Sequence, residues 1–267
     1  MNKVIHGDCL EVMATFPADY IDLTVTSPPY DNLRDYNGYD FDFEGIAKQL
    51  YRITKDGGVV VWVVGDATIK GSETGTSFRQ ALYFKEIGFN LHDTMIWTKE
   101  QLAFPDKNRY YSGFEYMFVL SKGKPKTIKL IGDKKNRSFG RVVDNSGERK
   151  RDGSLGESRS CAGQPYKEYG VRWNYWLMFN QSRGNYANHP APFPEQLAND
   201  HIITWSNEGD LILDPMCGSG TTCKMAMVNN RNYIGIDVSE EYCEIARKRI
   251  AEHEQQQALF EGVQSSE

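Results

Sequence analysis

The chain has 267 residues, 40% of them hydrophobic, and a formal net charge of −5. That is enough apolar material for one large domain, or one domain with a sizeable insertion, while runs such as "VVVWVV" are far too short to cross a bilayer. Five scattered cysteines without a C-x-x-C pair indicate neither a disulfide framework nor a zinc site, and an N-terminus without a long apolar stretch leads us to expect a soluble, cytoplasmic protein.

In chain order, a short strand is predicted at Lys3–Gly7, followed by a helix "CLEVMATF" that Asp8 is placed to cap. A second strand, Ile21–Thr26, runs into Ser27-Pro28-Pro29-Tyr30. "FEGIAKQLYRI" sets Phe43, Ile46, Ala47, Leu50 and Tyr51 on one helical face, with Gly57-Gly58 as the expected stop before a strand Gly58–Gly65. Two more strands are expected at His92–Lys99 and Glu115–Gly123. From Ser121 to Arg183 the chain carries 15 Lys and Arg against 6 Asp and Glu, a basic segment inside an acidic body. Aromatic residues interleave its end, "YKEYGVRWNYWLMFNQSRGNY", which makes it too apolar for a free tail and favours a polyanion partner over a solvated loop. Strands Leu211–Pro215 and Asn232–Asp237 follow, then a helix capped by Ser239 that aligns Tyr242, Ile245, Ala246, Arg249 and Ile250. This alternation of strand and helix predicts an α/β fold with a mainly parallel sheet.

The stretch "LILDPMCGSGTTCKMAMVNNRNYIGID" reads as a nucleotide-type crossover unit. A buried strand ends at Asp214, a glycine loop follows, a helix begins near Thr221, and a second strand ends at Asp237. Gly218 and Gly220 let a ligand approach the backbone, and an acid about 20 residues beyond the loop can accept hydrogen bonds from ribose hydroxyls. The plain structural reading is a tight strand-to-helix turn. A dinucleotide is disfavoured, because Asp214 would repel a pyrophosphate and Cys223 stands where that fingerprint has Gly or Ala. S-adenosylmethionine, with a sulfonium, an ammonium, a ribose and no phosphate, suits two acids flanking a glycine loop.

"TSPPY" and "DPMCGSGTT", in that order with a basic segment between, resemble the amino-methyltransferases of DNA, specifically their circularly permuted beta group. The likeness covers most of residues 3–250, and "HPAPFPEQL" resembles that family's segment before the glycine strand. The resemblance implies a seven-strand Rossmann-like sheet, S-adenosylmethionine as cofactor, no metal, and double-stranded DNA as substrate. It implies a catalytic half at 1–120, an inserted recognition region at 121–185, a cofactor half at 186–254 and a tail at 255–267. It places Asp8, Phe193, Asp214, Met216, Gly218, Gly220, Thr221 and Asp237 at the cofactor, with Asp8 near the adenine.

The amino group of cytosine or adenine is a poor nucleophile because its lone pair is delocalised into the ring. Acceptors for its two hydrogens draw that pair out. The resemblance assigns this task to the Ser27 side chain and the Pro28 carbonyl, with Pro29 stiffening the turn and Tyr30 stacking on a base flipped from the duplex. A Pro-Pro turn that merely ends a strand is the competing reading of these four residues. Family members with Ser at the first position mostly act on cytosine N4 and those with Asp on adenine N6, so cytosine is preferred and adenine is the alternative.

DNA contacts are expected from Arg34, Tyr36, Lys134, Lys135, Arg137, Arg141, Lys150 and Arg172, mostly to phosphates. A cognate restriction endonuclease and a homodimer are further expected partners. "QQALF", Gln256 to Phe260, after the last helical pattern, resembles a sliding-clamp-binding peptide, although a helix end tucked onto the body is the preferred reading. A protein-amide methyltransferase conflicts with Ser27 and with the motif order, whereas a catalytically silent DNA-binding protein is separable only by turnover.

Overall fold

The computed structural model describes residues 2–29, 41–99, 107–110, 112–143, 150–154, 156, 163–179 and 193–264, with side chains as far as Gln256. Two compact units emerge, Leu130–Trp173 and a larger one made of Met1–Lys129 and Asn174–Glu267. The larger unit begins with β1 (Lys3–His6), α1 (Cys9–Ala14), β2 (Ile21–Thr26), α2 (Phe43–Ile53), β3 (Thr54–Val64) and the short strands β4 (Thr68–Ile69) and β5 (Ser72–Glu73). It continues through α3 (Thr76–Glu86), β6 (Asn90–Thr98) and β7 (Phe114–Ser121). The smaller unit contains β8 (Lys134–Lys135) and β9 (Tyr169–Gly170). The chain then returns through β10 (Tyr175–Leu177), α4 (Glu195–Trp205), β11 (Leu211–Asp214), α5 (Thr221–Val228), β12 (Asn232–Asp237) and α6 (Glu240–Gln264).

One sheet of the larger unit has the order β1-β12-β11-β2-β3-β7-β6-β10. Within it β7 runs antiparallel to β3 and β6, and the other pairings are parallel. The chain's first strand therefore sits beside its last, as a circular permutation requires. β10 adds an eighth, edge strand to the expected seven. Its Trp176 packs into the core and its register puts Tyr175 opposite Ile96, so this piece of the basic segment belongs to the sheet.

Strand β3 shows why the middle of the sheet reads as a continuous apolar run: both of its faces are covered. Val59, Val61 and Val63 join a core with residues of α4, α5 and α6, while Val60, Trp62 and Val64 join one with residues of α1, α2 and α3. Thr54 adopts an extended conformation directly after α2, and its hydroxyl donates to the Leu50 carbonyl at 2.6 Å. The glycine pair is thus not the helix stop. Gly57, at φ 78°, and Gly58 lie inside β3, and a Cβ on Gly57 would come within 2.9 Å of Lys126 Cβ.

Helix α6 also outruns its expected end. No Gly or Pro interrupts Glu252–Phe260, and the backbone stays helical across "QQALF"; the side chains of 257–260 lie outside the described residues. No helix of the described residues is long and apolar enough to cross a membrane.

In the smaller unit, β8 and β9 pair antiparallel, and backbone bonds such as Asn136 N–H to Glu168 O (2.8 Å) and Tyr166 N–H to Arg141 O (2.8 Å) extend the pairing irregularly. Four lysines of the basic segment, Lys122, Lys124, Lys126 and Lys129, belong instead to the larger unit, where Lys122 binds Asp19 and the Thr54 carbonyl.

Candidate active site

In the larger unit the parallel strands β12, β11 and β2 are neighbours, and their C-terminal ends define one edge of the sheet. At about 4.8 Å between strands, those three ends span about 10 Å. β11 sends its helix α5 back to β12 on one side and borders β2 on the other, so its end is a topological switch point, where open α/β sheets bind ligands. Asp214 ends β11, Asp237 ends β12, and Ser27 directly follows β2.

The glycine loop between β11 and α5 is held in an unusual shape. Gly218 (φ 47°) and Gly220 (φ 79°) occupy left-handed conformations that a side chain resists. Gly220 also lies against α6, where a Cβ would come within 2.7 Å of Ala246 Cβ. Asp237 fastens one side of the loop: its carboxylate accepts from Gly218 N–H at 2.8 Å and from Ser239 N–H at 2.9 Å. Burial pushes the Asp237 carboxyl above its ordinary pKa, against the pull of those two N–H groups. Acceptor capacity remains on both oxygens, as a ribose diol needs.

Asp214 occupies a different position. It is 2% exposed, and its Oδ1 accepts from the Thr26 hydroxyl at 2.7 Å and from Met216 N–H at 3.2 Å. Burial raises its pKa to about 6, with the Thr26 hydroxyl opposing the shift. The residue expected to face a cationic ligand therefore also joins the base-side strand to the glycine loop. A second tie runs parallel to it, from the Thr222 hydroxyl on α5 to the Val25 carbonyl on β2 at 3.0 Å.

Ser27 and Pro29 are half-buried and Pro28 is buried beyond the end of β2, whereas Tyr30, Arg34 and Tyr36 lie outside the described residues. Asp8 ends the turn after β1, and its carboxylate caps α1 by accepting from Glu11 N–H at 2.9 Å. Phe193 and Met216 pack against the two cores on opposite faces of the sheet, and Thr221, 5% exposed, opens α5.

Sequence reasoning missed a group that touches the glycine loop. Arg249 of α6 donates to the Ser219 carbonyl (3.2 Å) and to the Thr221 hydroxyl (3.1 Å), and it pairs with Glu195 of α4. Lys224 of α5 binds the same Glu195 oxygen at 2.8 Å. Burial alone would push the Glu195 carboxyl up, yet the hydrogen bonds from Lys224 and Arg249 prevail and hold it below its usual range. The signals available were an acid directly after a proline and an arginine on the buried helix face. Neither names its partner.

Among the proposed DNA contacts of the smaller unit, Arg172 is committed inside the unit. Its guanidinium grips the Asp133 carboxylate through Nε and Nη2, and that hydrogen bonding lowers the carboxylate's pKa. Lys134 stands 4.0 Å over the ring of Trp173, while no ion pair holds Lys135, Arg137 or Arg141 among the described residues. Lys150 opens a tight turn in which its N–H bonds the Ser154 carbonyl at 2.8 Å.

Comparison with known proteins gives this arrangement a family. The DNA methylase family N6_N4_Mtase matches residues 21–248. An orphan methyltransferase of Bacillus amyloliquefaciens, M.BamHII, is 60% identical over 236 residues, covering 86% of this chain and 88% of its own. The DNA adenine methyltransferase YhdJ of Escherichia coli is 28% identical over 261 residues, covering 92% and 82%. The solved PvuII DNA methyltransferase, cytosine-N4-specific, shares the fold with a TM-score of 0.66 at 22% identity, covering 92% of this chain and 86% of that one. A permuted parallel sheet whose switch point carries both the Ser-Pro-Pro turn and the glycine loop, together with a family match over most of the length, shows that the chain belongs to the DNA methylases that modify base amino groups.

Proposed function

We propose that the protein transfers a methyl group from S-adenosylmethionine to the exocyclic amino group of a base flipped out of double-stranded DNA, with N4 of cytosine as the preferred target. The observation that carries this reading is the pair of ties, Thr26 to Asp214 and Thr222 to Val25, that fasten the end of the strand leading into the base-side turn to the strand and helix on either side of the cofactor loop. The residues present fit that cofactor: carboxylates at two strand ends repel phosphate and suit a sulfonium, an ammonium and a ribose, and the glycine loop leaves room for close backbone approach. When bound, the cofactor supplies an electrophilic methyl group on sulfur.

Asp237 would hold the ribose, Asp214 and the loop from Met216 to Thr221 the methionine portion, and Asp8 and Phe193 the adenine. Ser27 Oγ and the Pro28 carbonyl would accept the two amino hydrogens, which localises the lone pair on nitrogen and aims it at the methyl group. Tyr30 would hold the flipped base by stacking. Serine at position 27 supports cytosine, and the name of the adenine-specific relative supports the alternative, adenine N6.

Lys134, Lys135, Arg137, Arg141 and Lys150 would contact phosphates and position the duplex. The more similar relative is an orphan methyltransferase, which favours action without a partner endonuclease over the paired arrangement. A cytoplasmic location fits such a substrate. Changing Tyr30 to Ala tests the base-flipping part: methyl transfer to duplex DNA should fall while binding of S-adenosylhomocysteine persists, and unchanged turnover would reject the stacking role.

A further inference from the structure

We infer that Arg249, fixed by Glu195, is a positioning residue that holds the glycine loop in its cofactor-binding shape and so sets cofactor affinity rather than the rate of methyl transfer. The inference rests on the function proposed above and concerns this chain's own residues around that site.

The loop needs such a device. Two of its residues sit at positive φ, an arrangement that the free chain populates only in part, and Asp237 restrains it through Gly218 alone. Arg249 acts on the other side of Gly220. From one guanidinium nitrogen it reaches the Ser219 carbonyl at 3.2 Å, the Ser219 hydroxyl at 3.3 Å and the Thr221 hydroxyl at 3.1 Å, so the two residues that flank Gly220 share one donor group. Ser219 and Thr221 are 3% and 5% exposed, which removes water as a substitute partner.

The guanidinium is in turn held. Its other terminal nitrogen binds Glu195 Oε1, and Lys224 Nζ binds that same oxygen at 2.8 Å. The Arg249 side chain is 10% exposed and that of Glu195 23%, so this pairing is screened far less than a surface ion pair. Glu195 is the first residue of α4, directly after Phe193-Pro194. One carboxylate thus connects the segment expected at the adenine, the first turns of α5 and the glycine loop. Lysine at 249 could keep the ion pair but lacks the fork that serves carboxylate and loop together.

The test is isothermal titration of the full chain with S-adenosylhomocysteine, alongside steady-state methylation of DNA and thermal unfolding without ligand. Arg249→Met should weaken S-adenosylhomocysteine binding about tenfold or more. It should raise KM for S-adenosylmethionine in parallel and leave kcat at saturating cofactor, and KM for DNA, within about twofold. Arg249→Lys should restore part of the affinity, and Glu195→Gln, close in shape and without charge, should show a smaller loss of the same kind.

Unchanged binding with a lower unfolding temperature would make Arg249 a packing residue and overturn the inference, as would a fall in kcat at unchanged affinity. Should Arg249→Met not fold, the Lys and Gln variants decide by the same criteria. A wild-type protein that binds no S-adenosylhomocysteine would instead overturn the proposed function, which separates the two failures.

Discussion

At the scale of single residues, two carboxylates a strand apart have been given different work by their surroundings. Asp237 meets two backbone N–H groups, whereas Asp214 is buried against a threonine hydroxyl. Because burial lifts Asp214 from 3.8 to about 6, the folded protein keeps a proton that the unfolded chain has released between those values. Its contribution to stability is therefore greatest below about pH 4 and is lost as pH rises through 6, a cost of up to about 3 kcal/mol. Asp214→Asn retains the acceptor for Thr26 and Met216. We expect it to raise the unfolding temperature at pH 8 by several degrees, to match wild type near pH 4, and to bind S-adenosylmethionine more weakly. A lower unfolding temperature at pH 8 would contradict the assigned burial cost. Ser27→Ala should lower kcat about a hundredfold and leave S-adenosylhomocysteine affinity unchanged; a loss of cofactor affinity instead would place Ser27 in the wrong pocket. Asp214, Asp237 and the glycines were legible in the sequence because strand-end acids and a glycine loop keep fixed local spacing. Thr26 and Arg249 were not, since their partners lie 188 and 28 to 54 residues away and only the fold brings them together.

At the scale of elements, the sequence pattern located seven strands of the sheet and helices α1, α2, α5 and α6 but not the 11-residue helices α3 and α4, and the ends were decided by contacts. Helix α2 stops at Thr54, which the Leu50 carbonyl and the pairing with Ile21 draw into β3, so the glycines that looked like a stop serve a crowded strand instead. Strand β10 is three residues long and could not be told apart from a basic, aromatic loop until its pairing with β6 was seen. Conversely, the crossover β11–α5–β12 was readable almost residue for residue, because a buried strand, a glycine turn that opens a helix and a second strand ending in an acid each leave their own composition. The close approach of α5 and α6 makes Gly220 the sensitive point of that crossover. Gly220→Ala must place a methyl group 2.7 Å from Ala246 and hold φ at 79°, and we expect it to destabilise the protein by about 1–3 kcal/mol and to weaken cofactor binding. Calorimetric unfolding with and without S-adenosylhomocysteine measures both effects, and a variant as stable as wild type would show that the loop yields easily.

For the molecule as a whole, an acidic larger unit and a basic smaller one are expected to divide the task between chemistry and DNA binding. The residues of the larger unit that flank the smaller one in sequence are bonded within the larger unit itself, through Lys129 N–H to the Thr204 carbonyl (2.9 Å) and Ile96 N–H to the Asn174 carbonyl (2.8 Å). Replacing residues 130–173 by a short Gly-Ser linker should therefore leave the sheet folded and S-adenosylhomocysteine binding intact while abolishing affinity for DNA. Retained DNA affinity would move the interface elsewhere. A finer version changes Lys135 and Arg137 together to Ala, which should flatten the dependence of log K on log salt by about 2 units across all DNA sequences if both meet phosphates.

The central claim is methyl transfer to a base amino group, and mass spectrometry of nucleosides from unmethylated duplex DNA incubated with the protein and isotopically labelled S-adenosylmethionine tests it most directly. We predict labelled N4-methylcytosine whose initial rate of appearance falls about a hundredfold with Ser27→Ala; label only in N6-methyladenine would overturn the base assignment, and no labelled DNA nucleoside from a protein that binds the cofactor would contradict the account itself.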